Sequence, residues 1–428
     1  MLPRDRGALN LGLQLAREHF CIDGADLIIG GVRARDIAAG AGTPFYAYDG
    51  ARMRKAYRTL SDALQGFADI HYSVKANPAA AVVRLFIEEG AGAEVASLGE
   101  YRTAREAGAA SERILFAGPG KRLRELEEVL AGGIGEIHLE SYEEIQRVAA
   151  VAQRLNRPAK VALRINPVPA VQAGAMRMGG KPTAFGFDEE DLAQAVQAVV
   201  STGTLRLAGI HVYAGTQILD ADALVAQWRH AIMLAGVVAD LIDGPLATID
   251  LGGGLGIPYH AGDKPLDLAK VAEAVPSLRA ALRAHARLTQ ARIVVEPGRF
   301  LAGPAGVYVV EVNAVKQSRG ARFLVTDGGM HHHLAASGNL GQIIKRDYPI
   351  VAPARMDSEH DRHVAVAGPL CTPLDVLARE ALLPDLKAGD LIAVLQSGAY
   401  GASASPGRFL GHPPPAEVLV ENGAFRAV

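Results

Sequence analysis

The chain has 428 residues, of which 49% are hydrophobic and 21% charged, a balance typical of folded proteins and not of disordered ones. Its formal net charge of -2 gives no excess of positive charge for binding nucleic acid or an anionic membrane. Two cysteines, Cys21 and Cys371, are too few for a disulfide framework, and residues 1–20 have no apolar signal-peptide core. These features predict a cytoplasmic protein, and the length favours two domains.

Short β-rich runs alternate with helical runs from about residue 68 to residue 300. The predicted strands are residues 69–74, 93–96, 113–117, 136–139, 160–166, 207–213, 247–251 and 292–296. Eight strands, each followed by a helix, is the count of a (β/α)8 TIM barrel. A doubly wound open sheet is the alternative, but it usually has fewer strands. The sequence therefore predicts an α/β fold with a barrel over residues 46–300.

The pattern changes after residue 300 to strands with little helix between them. The predicted strands are residues 306–312, 322–326, 362–367, 390–395 and 416–420, which indicates a C-terminal all-β domain over residues 301–428, a β-barrel or sandwich. Residues 25–31 also have strand character, so residues 1–45 are expected to pack with the β domain. Residues 167–182 are rich in Gly, Ala and Pro and predict a mobile loop beside the site.

A lysine follows the first predicted barrel strand. Lys75 precedes Asn77-Pro78, where the next helix should begin. A lysine at a strand end is usually a solvated charge, but a barrel carries its functional groups at the carboxyl ends of its strands. Partly buried there, its amine can lose a proton and attack a carbonyl group.

Two further motifs follow the seventh and eighth predicted strands. Residues 252–254 are three consecutive glycines, which allow backbone N–H groups to surround a phosphate; a plain Gly-rich turn is the alternative. Glu296 and Arg299 follow the last strand, as a structural ion pair or as groups that face a cofactor. An acid beside a pyridine nitrogen keeps that ring protonated. Together, lysine, glycines and acid indicate pyridoxal 5′-phosphate (PLP), which has an aldehyde, a phosphate and a pyridine.

The chain resembles the fold-type III PLP decarboxylases, which include the diaminopimelate, ornithine and arginine decarboxylases. Besides the three motifs above, the resemblance rests on residues 43–49, Glu94, residues 97–100, Arg164, residues 185–186, 209–217, 368–375 and 398–400. It implies a PLP-dependent decarboxylase that acts on the α-carboxylate of an amino acid or aminoacyl group. It also implies a homodimer with two shared active sites.

The resemblance implies a role for each matching position. Lys75 would hold the cofactor aldehyde, Glu296 would bind the pyridine nitrogen, and Cys371 of the partner subunit would protonate the substrate carbon. The remaining predicted cofactor-binding residues are Glu94, Arg164, His211, Tyr213, Thr216, Gly252, Gly253, Gly254, Gly298, Arg299 and Tyr400. Thr372, Asp375 and His332 are the predicted substrate residues. No metal is predicted, because three successive histidines, residues 331–333, could not all face one ion from a regular strand.

Several substrate-reading positions depart from the family pattern. Tyr213 stands where the family has the histidine that stacks on the ring, and Thr372 stands where a carboxylate usually reads the substrate's distal ammonium. The Arg-Pro-x-Leu-Tyr segment of diaminopimelate decarboxylases is also missing. These departures resemble the exosortase-associated branch and the decarboxylase of carrier-protein-linked glutamyl groups. Either a small amino acid or a tethered aminoacyl group is therefore the expected substrate.

Two alternatives to decarboxylation stay open from the sequence. An amino-acid racemase of the alanine racemase type shares the barrel, but those enzymes place an arginine at the pyridine nitrogen, where this chain has Glu296. A non-catalytic homologue that regulates a partner usually lacks the cofactor lysine or the cysteine, and Lys75 and Cys371 are both present.

Overall fold

The chain forms two compact units in the computed structural model. The structure describes residues 10–168, 176–177, 182–213, 215–340, 342 and 345–428. The first unit contains the described residues of Ala56–Ile257 and Lys264–Phe300, and the second those of Met1–Lys55, Pro258–Asp263 and Leu301–Val428.

The first unit is a closed barrel of eight parallel strands. In chain order they are Asp69–Ser73 (β1), Gly92–Val95 (β2), Ile114–Phe116 (β3), Glu136–Leu139 (β4), Ala159–Asn166 (β5), Leu205–Val212 (β6), Thr248–Asp250 (β7) and Arg292–Val295 (β8). Each strand pairs with the next, and β8 pairs with β1 to close the ring. The strands are continuous apolar runs such as Ile114–Phe116, fully buried, because both of their faces are covered.

Helices connect successive barrel strands. They are Ala80–Glu88, Leu98–Glu106, Leu123–Ala131, Tyr142–Arg154, Leu192–Val200, Ala221–Leu241 and Leu268–Arg283; Gly50–Leu64 precedes β1 and Arg299–Ala302 follows β8. Side-chain caps fix where several begin: Ser97 accepts the Glu100 N–H at 3.1 Å and Ser141 accepts the Glu144 N–H at 3.2 Å. The two-residue segment Phe187–Asp188 extends the sheet beside β5, and Met176–Arg177 pairs with Gly215–Thr216.

The helix Ala221–Leu241 is long and apolar enough, on length and composition alone, to cross a bilayer. Half of its most apolar window is buried inside the protein, including Trp228 at 1% exposure. That burial is what a core helix of a barrel requires, since one face must cover the strands.

The second unit is mainly antiparallel β structure. One sheet has the order Val376–Leu383, Arg362–Ala367, Ala321–Thr326, Gly306–Ser318, Phe45–Asp49, Ala416–Glu421 and Ala424–Ala427; Leu391–Val394 pairs with both Gly306–Ser318 and Ile350–Val351. Cys21–Asp23, Asp26–Ile29 and Val32–Arg33 form a small meander, and the helices are Leu11–His19 and Ala34–Ala41. Its core joins side chains from both ends of the chain, among them Leu27, Phe45, Val309, Ala393 and Val420.

The predicted architecture, a TIM barrel followed by a β-rich domain, is confirmed. The unit boundary differs from the predicted residue 46: the strand Phe45–Asp49 pairs with Gly306–Ser318 and Ala416–Glu421, so the chain up to Lys55 groups with the β unit. The predicted loop at residues 167–182 falls largely outside the described residues.

Candidate active site

Lys75 lies at the carboxyl end of β1, in the single helical turn Val74–Ala76. Its neighbours Val74 and Ala76 are buried, whereas the Lys75 side chain is 44% exposed. Its Nζ lies 2.8 and 3.0 Å from the two carboxylate oxygens of Glu94 in β2, and Glu94 also accepts the Ser73 hydroxyl at 2.6 Å. The ion pair therefore fixes the direction of the lysine.

A cavity of about 760 Å³ opens at this end of the barrel. The predicted site residues on its wall are Lys75, Glu94, Arg164, His211, Tyr213 and Glu296, from five different strands or the loops that follow them. Ala96, Gly118 and three arginines, Arg102, Arg122 and Arg124, also line this cavity. The structure thus brings these six predicted residues to one cavity, as convergent strand ends should, whereas Thr216, Gly252, Gly253, Gly254, Gly298 and Arg299 are not among its lining residues.

Glu296 lies at the end of β8 and is 4% exposed. Its Oε2 is 3.3 Å from Nε2 of His211, while its Oε1 is buried with no hydrogen-bond partner among the described residues. Burial alone would raise the pKa of this carboxyl, but His211 and Lys75 outweigh it and hold the pKa below its usual range. Burial lowers the pKa of His211, whereas the neighbouring Glu296 raises it. A buried carboxylate with one unused oxygen is therefore available to a cationic N–H donor.

The glycines after β7 allow the backbone of this loop to pack closely against the backbone of neighbouring segments. A Cβ on Gly253 would lie 2.5 Å from the Glu296 carbonyl oxygen, and one on Gly254 would lie 2.5 Å from the Gly215 carbonyl oxygen. Gly252 and Gly254 also have positive φ angles of 68° and 94°, which side chains disfavour. The loop therefore packs tightly against the segment that carries Thr216 and against Glu296.

Arg164 in β5 forms a second buried ion pair. Its Nη1 donates to Glu140 Oε1 at 2.8 Å, and the two side chains are 9% and 1% exposed. The guanidinium carbon lies 4.8 Å from the ring centre of Phe185 and 5.9 Å from that of Tyr213. Sequence reasoning missed Glu140, although it follows β4 at the same end of the barrel as the other site residues.

These residues fit PLP. The unused buried oxygen of Glu296 suits a protonated pyridine nitrogen. The glycine loop, at the neighbouring strand end, allows backbone N–H groups to approach the cofactor phosphate closely. Lys75 supplies an amine on the wall of the same cavity. Gly298 and Arg299 follow Glu296 after Pro297, and a Cβ on Gly298 would lie 2.7 Å from that of Ala76, beside Lys75.

The other predicted residues belong to the β unit. Cys371, an exposed free thiol, and Thr372 lie in the turn between Arg362–Ala367 and Val376–Leu383. Asp375 is 2% exposed, and its two oxygens accept the N–H groups of Met330 at 2.6 Å and Leu370 at 2.8 Å. Tyr400 is half-buried with φ of 54°. The roles of these residues stay predictions.

The three successive histidines lie in a turn. From the sequence they are expected in a regular strand, where successive side chains face opposite sides. The rings of His331 and His332 are 3.7 Å apart, and all three side chains are buried. His332 Nε2 lies 2.9 Å from the Pro413 carbonyl oxygen, and His333 Nε2 lies 3.0 Å from the Ser397 hydroxyl. The assignment of His332 to the substrate therefore stays a prediction, and these contacts offer a packing role beside it.

Comparison with known proteins matches residues 51–303 to the family described as pyridoxal-dependent decarboxylase, pyridoxal binding domain. The chain is 41% identical to the L-glutamyl-[BtrI acyl-carrier protein] decarboxylase of Niallia circulans over 389 residues, covering 90% of each chain. It is 33% identical to the diaminopimelate decarboxylase of Zymomonas mobilis, over 94% of this chain and 93% of that one.

A similar solved structure is that of the Helicobacter pylori diaminopimelate decarboxylase complexed with L-lysine. It has a TM-score of 0.82 and 26% identity, and the match covers 92% of this chain and 95% of that one. The fold, the cavity and the relatives agree, and the chain therefore belongs to the fold-type III PLP-dependent amino-acid decarboxylases.

Proposed function

We propose that the barrel cavity removes the α-carboxylate of an aminoacyl group, with Lys75 and Cys371 as its catalytic residues. The observation that carries this proposal is the convergence of Lys75 and the half-partnered, buried Glu296 on one cavity. The cofactor, when bound, supplies an electron sink for the bond that breaks. Lys75 holds the cofactor aldehyde, and Glu296 holds the ring nitrogen through its unused oxygen.

The other barrel residues orient the reacting group. Tyr213 faces the ring, and Arg164 fixes that aromatic wall because Glu140 holds its guanidinium in place. Glu94 receives the Lys75 ammonium when the lysine is not engaged with the cofactor. A thiol proton from Cys371 then goes to the carbon that loses carbon dioxide, and the thiolate recovers a proton from solvent.

Replacement of Lys75 tests the cofactor role. Lys75→Ala should lose the near-visible absorbance of lysine-bound cofactor and carbon dioxide release, while Lys160→Ala, an exposed lysine of β5, should keep both. Turnover by Lys75→Ala without added amine would contradict the assignment. Chiral analysis of recovered substrate separates decarboxylation from racemisation.

The substrate in this proposal is a glutamyl-type group tethered to a carrier protein. The relative of Niallia circulans supports it, since its name gives such a substrate at 41% identity. The cavity adds support, because Arg102, Arg122 and Arg124 also line it. Arg122 and Arg124 are exposed and form no ion pair among the described residues, so they are available to an anionic tether or carrier surface.

The proposal of a tethered substrate is tested by comparing free glutamate with glutamate bound to the carrier protein. Arg122→Glu/Arg124→Glu should raise KM for the carrier-bound group about tenfold or more and leave kcat unchanged, because the charges act on encounter and not on chemistry. Arg279→Glu, which lies outside this cavity, is the control. Equal turnover of free and carrier-bound glutamate would contradict a tethered substrate.

A cytoplasmic homodimer with shared sites completes the proposal. The two free, exposed cysteines suit a reducing compartment. If Cys371 acts in the partner's site, mixing inactive Lys75→Ala and Cys371→Ala chains should restore about a quarter of wild-type activity, because half of the random dimers carry one intact site. No recovery in verified mixed dimers would place Lys75 and Cys371 in one subunit's site.

A further inference from the structure

Four buried side chains form a group that adjoins the cavity: His138, Asp250 and the two cavity-lining residues His211 and Glu296. One nitrogen or oxygen of each lies within 4.8 Å of those of the other three. Asp250, at the end of β7, is completely buried, and the mechanism above does not use it. Both ring nitrogens of His138 and Oδ2 of Asp250 have no hydrogen-bond partner among the described residues. Buried polar atoms of this kind require an explanation.

Asp250 contacts both parts of the predicted cofactor site. Its Oδ1 accepts the Gly252 N–H at 2.8 Å, so it holds the first residue of the glycine loop. The Gly252 carbonyl accepts the Glu296 N–H at 2.8 Å, and a carboxylate oxygen of Asp250 lies within 4.8 Å of one of Glu296. One side chain therefore connects the loop assigned to the phosphate with the acid assigned to the ring nitrogen.

Two carboxylates this close and this buried cannot both carry a charge, and a hydrogen bond between them requires one proton. Burial and the neighbouring acids Glu296 and Glu136 raise the pKa of Asp250, and Nε2 of His138 lies 3.8 Å from its Oδ2. Glu296, by contrast, has the favourable Lys75 charge across the cavity and His211 at 3.3 Å. The proton therefore belongs on Asp250.

We propose that Asp250 is a positioning residue that stays protonated and donates a hydrogen bond to Glu296. This contact keeps Glu296 ionised and holds its side chain in place relative to the glycine loop. The inference rests on the proposed role of Glu296 at the ring nitrogen. Its chemistry needs no further partner: the neutral acid accepts from Gly252 through one oxygen and donates through the other. A neutral amide can do the same, since its oxygen accepts and its nitrogen donates.

Two substitutions separate this role from a charged one. Asp250→Asn retains a neutral acceptor and donor, so PLP affinity and the pH profile of the bound-cofactor absorbance should stay within about threefold of wild type. Asp250→Ala removes both contacts, so the PLP Kd should rise about tenfold or more and the absorbance should become pH-dependent. An Asn variant as impaired as the Ala variant would show that a charge at position 250 is required and would overturn the proposal, as would an Ala variant indistinguishable from wild type.

A direct measurement needs neither activity nor cofactor. Infrared spectra of the cofactor-free protein near neutral pH should show a protonated carboxylic acid band that shifts on deuteration and is lost in Asp250→Asn. Absence of that band would overturn the proposal even if Asp250→Ala fails to fold. Stoichiometric Zn²⁺ retained after dialysis by wild type, but not by His138→Ala, would assign the group to a metal and also overturn it. Because these two measurements use cofactor-free protein, they are independent of whether Lys75→Ala bears out the proposed function.

Discussion

Removal of the Arg164 guanidinium should destabilise the barrel strongly. Arg164→Met leaves Glu140 as a buried, 1% exposed charge whose remaining hydrogen bond comes from the Gly118 N–H. Breaking a buried ion pair on one side costs about 3–5 kcal/mol, because the surviving charge stays without its counter-ion. The lost contact with the Phe185 ring adds about 0.5–2 kcal/mol. We therefore expect the free energy of unfolding to fall by at least about 3 kcal/mol.

Urea unfolding of the cofactor-free protein measures this loss. Trp228 is the single tryptophan of the chain and is buried in a barrel helix, so its fluorescence reports on the barrel unit. Arg102→Met is the matched control, since its pair with Glu128 is 50% and 38% exposed, is screened by solvent and should contribute little to stability.

A double-mutant cycle distinguishes lost pairing from lost packing. Glu140→Gln added to Arg164→Met removes the stranded charge, so the double variant should recover about 2 kcal/mol relative to Arg164→Met alone. Additive effects within about 0.5 kcal/mol, or an Arg164→Met cost no larger than that of Arg102→Met, would refute the reasoning.

Three further predictions concern other parts of the molecule. Gly253→Ala should weaken PLP binding about tenfold or more in equilibrium titration, because its Cβ would meet the Glu296 carbonyl at 2.5 Å; Gly244→Ala, with 3.7 Å of clearance, should not. Burial lowers the pKa of His71 to about 3, so its contribution to stability is present above pH 6.5 and is lost as the pH falls towards 3. His71→Leu should therefore reduce by about 2 kcal/mol the stability lost in urea unfolding between pH 7.5 and pH 5. Asp375→Ala should lower the unfolding free energy of the β unit by about 1–3 kcal/mol in thermal denaturation, because the N–H groups of Met330 and Leu370 lose their acceptor; an unchanged melting curve would contradict it.

The barrel could be predicted because a strand buried on both faces appears in sequence as a continuous apolar run. Ile114–Phe116 and Arg292–Val295 are such runs, and both were predicted within a residue at each end. Val376–Leu383 was missed because Arg379 and Glu380 interrupt it at exposed positions of a strand at the end of the sheet. The second half of Gly306–Ser318 was missed for the same reason, since it is mostly exposed.

The part of the site that lies in the barrel could be predicted, because the functional residues of such a barrel lie at the carboxyl ends of its strands. Lys75, Glu296 and the glycine run each begin within two residues of a strand end, so the fold alone places them at the same end of the barrel. The partners that set their charge state could not be predicted, since sequence does not show that Glu140 would meet Arg164 or that His138 would lie beside His211 at 4.5 Å between ring centres.

The strand Phe45–Asp49 is made early in synthesis but pairs with strands that begin at residues 306 and 416. Until those segments leave the ribosome, its backbone hydrogen-bonding groups lack their native partners, and such an edge can pair with other chains. The barrel segment between them can fold in that interval, because each of its strands pairs with strands made before residue 300. A fragment truncated after the barrel should therefore aggregate through its N-terminal strand, and excision of residues 1–55 should relieve that aggregation.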